Sequence, residues 1–256
     1  MLFTIAGKDL KSLFTSPVAW VILTLTQLTA GLLFLKRFDD FLEIQPQLLR
    51  LPSAPGFTEM VAVPTFGAIA MLMLIAVPLL AMRLIAEERR NQTMVLLTSA
   101  PVSMLDIVLG KFLALMSMLM MILALVTLMP LSLSAVTRLD FPLIASMLLG
   151  LTLLAAAFSA VSLYVSSLTT HPMIAAIGAF GGLVLLMFAG DQLTTNLEQK
   201  NLGILAAFAQ VLSPGKNFEP LGRGIIDSYA VVCSLLLAVL FLTLTVRQLE
   251  ARRLRG

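Results

Sequence analysis

Charge is what this sequence has least of. Only 12% of its 256 residues are Asp, Glu, Lys or Arg, about half the share of a soluble domain. Apolar residues make up 59%, and the mean hydropathy is +1.00. A water-solvated monomer of this composition would expose large apolar patches, which excludes an ordinary cytosolic enzyme and a disordered scaffold. A nucleic acid is excluded as a partner too. The 17 basic residues stand beside 14 acidic ones, leave a net charge of +3 and form no dense patch. Cysteine is as scarce: Cys233 alone permits neither an intramolecular disulfide nor a multi-cysteine metal site. His171 is the sole histidine, so no H-E-x-x-H is present. No G-x-x-x-x-G-K-[ST] occurs either, because Gly7–Lys8, Gly110–Lys111 and Gly215–Lys216 lack the upstream glycine and the following Ser or Thr. The chain is therefore expected to bind no ATP through a P-loop of its own. With no paired aspartates and no G-x-S beside a usable base in the apolar stretches, we expect no catalysis, cofactor or metal in this chain.

What is abundant is long apolar sequence. Crossing about 30 Å of hydrocarbon takes roughly 20 apolar residues, and six stretches qualify: Pro17–Leu35, Val61–Met82, Phe112–Val136, Leu143–Leu168, Met173–Gly190 and Ser228–Val246. Lipid offers a bare amide no partner, so all six should be helical. Pro64, Pro78 and Pro130 are read as lying near span ends, where a missing N–H costs least. The first stretch reads as a span rather than a cleavable signal, since it is long enough to cross and no A-x-A-like site follows.

Basic residues set the expected orientation. With both termini cytoplasmic, the inner segments hold Lys8, Lys11, Arg83, Arg89, Arg90, Lys111, Arg247, Arg252, Arg253 and Arg255. The outer segments hold Lys36, Arg37, Arg50, Arg138, Lys200, Lys216 and Arg223. Ten against seven favours that arrangement. The chain is expected to be one all-α domain over residues 1–256, multi-pass in a membrane with both termini cytoplasmic.

Segments outside the spans carry further expectations. Residues 1–16 place Phe3, Ala6, Leu10, Leu13 and Phe14 on one helical face and Thr4, Lys8, Lys11 and Thr15 on the other. That pattern predicts an amphipathic helix in the membrane interface. The apolar run Leu202–Leu212 is too short to span and predicts a re-entrant or interfacial helix between spans 5 and 6. The outer loop 36–60, with Pro46, Pro52 and Pro55, reads as irregular, and His171 as a solvated turn residue. No ionisable side chain lies well inside a span, which weighs against an ion-coupled carrier. Gln27, Ala155–Ala157, Gly178, Gly181 and Gly182 read as helix packing or, alternatively, as a weakly polar path. Fifteen methionines include Met116 with Met120 and Met118 with Met121 on shared faces. No Cys or His joins them, so they read as gap-filling side chains rather than copper ligands.

The polar segment 83–111 is the most informative. Span 2 is expected to continue through Glu87, Glu88, Arg89 and Arg90. Thr93 then starts a short helix bearing Met94, Leu96 and Leu97, and Pro101 ends it. Ser103, three before Asp106, makes a capping-box-like start for the helix feeding span 3. A short amphipathic helix between two charged elbows could receive a push from a partner. The plainer alternative is that Glu87–Arg90 solvates a helix end.

The run AEERRNQTMVLLTSAPVSMLDIVLGK resembles the coupling segment of ABC-2 type ABC transporter permeases, most of all the gliding-motility-associated GldF-like subgroup. KDLKSLFTSPVAWV at the start, MRLIAEERR leaving span 2, SPGKNFEPLGRGIID before span 6 and LTVRQLEARR at the end extend the resemblance over nearly the whole chain. The resemblance implies a six-helix permease half with an amphipathic elbow helix (Phe3, Leu10, Lys11, Phe14), a cytoplasmic coupling helix and a re-entrant outer helix. It also implies two copies of a separate ABC ATPase that holds ATP and Mg, a second permease copy, and a membrane-anchored accessory subunit with an extracytoplasmic domain. Relatives usually have Gly where Gln92 stands and an acidic residue where Val95 stands. Contact with the ATPase is therefore expected to rest on Met94, Leu96, Leu97 and the Glu87/Glu88 pair. The rival readings are a stand-alone channel or secondary carrier, and a structural membrane anchor that moves no solute.

Overall fold

Six helices in the computed structural model are long and apolar enough to cross a membrane. Residues 1–48, 55–92, 103–134, 137–200 and 202–253 are described, and they contain helices and turns but no strand. Helix α1 covers Leu2–Phe14 and α2 covers Pro17–Leu48. Helix α3, Thr58–Arg90, is α-helical over Val63–Met82 and Glu88–Arg90 and π-helical over Thr58–Ala62 and Arg83–Glu87. There follow α4 (Met104–Ser132), α5 (Phe141–Leu168), α6 (Pro172–Gln199), α7 (Gly203–Val211), α8 (Pro214–Gly222) and α9 (Ser228–Arg253).

Helix starts follow local chemistry. Ser103 caps α4, its Oγ accepting from Asp106 N–H at 3.0 Å and donating to the Asp106 carboxylate at 2.8 Å. Asp140 caps α5 through Leu143 N–H, with Pro142 in the first turn, where its missing N–H is harmless. Ser213 and Pro214 start α8 in the same way.

Helix α5 is the centre of the bundle and packs against α3, α4, α6, α8 and α9. Two thirds of its most apolar stretch is buried, against 28% for α2 and α6. Small residues permit this: Ala155 and Ala157 are buried. The core around α5 includes Phe66, Ile69, Leu80, Leu115, Leu119 and Phe158. Gln27 ties α2 to α4 by donating to the Ile122 carbonyl at 3.0 Å. Gly178 meets Val165 closely, but Gly181 and Gly182 have open space beside them, so packing accounts for only some of the small residues.

Several boundaries differ from the sequence reading. Much of the segment read as an irregular loop over 36–60 is helical: α2 continues to Leu48 through Pro46, and α3 already begins at Thr58, while residues 49–54 lie outside the described residues. Phe57 fills a pocket against Phe34, Phe38 and Phe41 in edge-to-face contacts of 5.6–6.5 Å. Spacing of 4 and 3 residues puts those three rings on one face of α2, which keeps the polar stretch helical. Pro78 lies inside α3 rather than near its end, and α6 passes Gly190 to reach Gln199. The apolar run Leu202–Leu212 holds helix α7, and the unforeseen α8 follows it.

The start of α1 and the end of α9 lie at one end of the bundle. Ile5 shares an apolar cluster with Met104, Ile107, Val108 and Leu249, and Arg252 reaches the last carbonyls of α5.

Candidate functional site

The charged residues of the α3 exit meet α1 at this terminal end. Helix α1 crosses α4 so closely that a Cβ on Gly110 would stand 2.9 Å from Ile5. The face of α1 against the bundle is Ile5, Asp9 and Leu13, all buried. Of the apolar residues read on one face of residues 1–16, only Leu13 is among these three. Phe3 is 83% exposed and Lys11 exposed, whereas Leu10 and Phe14 are partly buried against the main core. Trp20 fixes the elbow by donating to the Phe14 carbonyl at 2.7 Å.

Asp9 is buried because a cation meets it. Lys111 of α4, itself fully buried, donates to Asp9 at 3.1 Å and to Glu88 at 2.5 Å. Lys8 adds a second cation, 2.7 Å from Glu88 and 3.3 Å from Asp9. Two ammonium groups and two carboxylates thus balance, and the cluster joins α1, α3 and α4 in one knot. Burial pulls the Lys8 ammonium down, but Glu88 and then Asp9 outweigh it and hold its pKa above the ordinary lysine value.

The next residue along α3 serves the other side. Arg89 donates to the Ser167 carbonyl at 2.6 Å and to the Thr169 carbonyl at 3.4 Å. Arg252 of α9 reaches the Leu168 carbonyl at 2.8 Å. Two guanidinium groups therefore cap the C-terminus of α5, where the helix dipole and unpaired carbonyls favour positive charge. Glu87 pairs with Arg83 one turn back, and Arg90 is exposed. Beside the knot lies a cleft of about 700 Å³ edged by Lys8, Ser12, Thr15, Arg83, Glu87 and Asn91.

Of the candidates, Glu88 and Arg89 are engaged inside the chain, Glu87 is half-buried and Arg90 faces outward. Thr93, Met94, Val95, Leu96, Leu97 and Pro101 lie outside the described residues. Gln92 has φ 57°, a left-handed conformation that glycine adopts without cost. The sequence reading missed both Asp9 and Lys111: it left Asp9 unassigned and counted Lys111 only among the basic residues of the inner segments. Their signal was positional. Asp9 sits at helical spacing between Ile5 and Leu13, and Lys111 between Val108 and Leu115.

The carboxylates of Asp9 and Glu88 are matched by ammonium groups, and among the described residues no three His, Cys, Asp or Glu converge to hold a metal. What the geometry offers is mechanical: two successive residues of α3 grip α1 and α4 on one side and α5 on the other. A family model described as "ABC-2 family transporter protein" matches residues 3–252, nearly the full length. The comparison with curated proteins gave no match.

Proposed function

Because the chain belongs to the ABC-2 family of transporter proteins, and that family implies an ABC ATPase partner, we propose that it is the permease half on which such an ATPase acts. In this reading it is a GldF-like permease of a bacterial inner membrane with both termini cytoplasmic, paired with a second copy as a C2 homodimer. Two ATPase subunits, holding ATP and Mg, close and press the segment 91–102 of each copy, where Met94, Leu96 and Leu97 present apolar surface. A membrane-anchored accessory subunit completes the assembly outside. Helix α1 lies along the cytoplasmic interface and α7 dips into the outer leaflet. The complex moves a substrate outward or converts the same push into mechanical work.

The observation that carries this reading is the division of labour at Glu88 and Arg89. A push arriving at Asn91 enters α3 one turn from both residues. Glu88 passes it through Lys111 to α4 and α1, and Arg89 passes it to the end of α5. Charge-assisted hydrogen bonds are short and directional, so displacement of α3 must move these neighbours or break the contacts.

Docking and transmission separate by mutation. The chain would be co-expressed with a candidate ABC ATPase subunit and purified in mild detergent. Leu97→Asp should weaken ATPase co-purification about tenfold or more, since losing a buried leucine costs roughly 1.5–3 kcal/mol. Arg89→Gln should leave co-purification intact but uncouple ATP turnover from the permease. Full ATPase retention by Leu97→Asp would reduce the segment to a solvated helix end. A chain that hydrolyses ATP alone would overturn the permease reading altogether.

A further inference from the structure

Ser166, in the last turn of α5, is completely buried, and its hydroxyl bonds to another helix. Its Oγ accepts from the Ala86 N–H at 3.1 Å and donates to the Ala81 carbonyl at 3.3 Å. Ala86 lies inside the π turn Arg83–Glu87 of α3, and Ala81 stands five residues before it. A π turn bonds each N–H to the carbonyl five residues back. The serine hydroxyl bridges one such donor and acceptor from the side, in a place no water reaches.

That register decides where α3 points. An α-helix turns about 100° per residue, so the extra residue held in the π turn sets the direction of everything after Glu87. Closing the turn into α register would swing Glu88 and Arg89 by about 100°, away from Lys111 and from the end of α5. We infer that Ser166 is the positioning residue that holds the π register and thereby aims Glu88 and Arg89 at their partners. The neighbouring Ser167 carbonyl, which receives Arg89 at 2.6 Å, belongs to the same turn. One turn of α5 thus sets the register and accepts the residue it aims. Only the consequence for ATPase coupling rests on the permease reading proposed above.

The test is a zero-length carbodiimide cross-link between Lys8 and Glu88, read by peptide mass spectrometry on the purified full chain in detergent. Their Nζ and Oε1 atoms are 2.7 Å apart and Lys8 is half exposed, so the wild type should cross-link efficiently. Ser166→Ala should lower the yield at least fivefold. Deleting Arg83 in the Ser166→Ala background removes the surplus residue, lets the turn close as α with Glu88 in its original direction, and should restore the yield. If Ser166→Ala alone fails to fold, folding and cross-linking of the double variant would support the assignment equally. A wild-type yield from Ser166→Ala, or a double variant that neither folds nor cross-links, would overturn it. No ATPase is needed, so such a failure would leave the permease reading standing.

Discussion

At the terminal end, Asp9, Glu88 and Lys111 draw three helices together through full charges. At the opposite end the long-range contacts are gentler. The Asp191 carboxylate of α6 takes a hydrogen bond from Ser213 at the start of α8. Ser146 donates to the Leu221 carbonyl at 3.0 Å, and Phe57 sits edge-to-face among three rings of α2. The difference teaches how each end should fail. Losing one buried charge leaves another uncompensated and costs several kcal/mol, whereas ring contacts and caps each contribute about 1 kcal/mol and yield gradually.

The largest effect should come from Lys111→Met. Asp9 would keep a buried charge facing only Lys8, a loss of about 3–5 kcal/mol that thermal unfolding in detergent, followed by the fluorescence of Trp20, should register. The double variant Asp9→Leu with Lys111→Met removes charge from both sides and should recover most of that loss. If it does not, the knot is more than a charge balance. At the opposite end, Gly150→Leu is the corresponding blow. A Cβ there would meet Leu221 at 2.9 Å and Phe218 at 3.1 Å, so α8 must shift, at a cost of about 1–3 kcal/mol. Equal losses for Gly150→Leu and Lys111→Met would erase the contrast between the ends.

A smaller change in the stabilising direction is expected from Gln92→Gly. Gln92 holds φ 57° just past the end of α3, and relieving a side chain there is worth about 1 kcal/mol. The same unfolding assay should show a higher midpoint. Smallest of all is a pH effect at Lys8, half exposed at the rim of the knot. Its pKa is raised in the folded chain above the ordinary 10.5, so its contribution is complete below 10.5 and fades as pH climbs through the folded value. Unfolding midpoints of wild type and Lys8→Gln should therefore converge above that range and differ below it. An unchanged gap at high pH would remove Lys8 from the cluster.

The six long helices were legible because their apolar runs far exceed what a soluble helix needs. Their ends were not, since polar residues and prolines locally resemble stops. Lys36–Glu43 continues α2 because Phe34, Phe38 and Phe41 find Phe57 just before α3, a contact between residues no local pattern connects. The capping of α4 by Ser103 was readable, being local. The knot was not, because Asp9 and Lys111 are 102 residues apart and a lone charge on an amphipathic helix is by default assigned to water. The departure at Gln92 was visible beforehand, and the backbone now supplies its meaning.

Helix α2 has one more consequence. At 1.5 Å per residue its 32 residues reach about 48 Å, while the hydrocarbon layer is about 30 Å thick. A strongly tilted rod could hide the surplus, but the Phe57 clasp ties its far portion to the start of α3. The first span is therefore a mast rooted at the Trp20 elbow and longer than the lipid layer is thick. Rotation of α1 at the base would be carried the whole length of that mast, so a spin label at Leu42 would report from one side of the bilayer on events at the other.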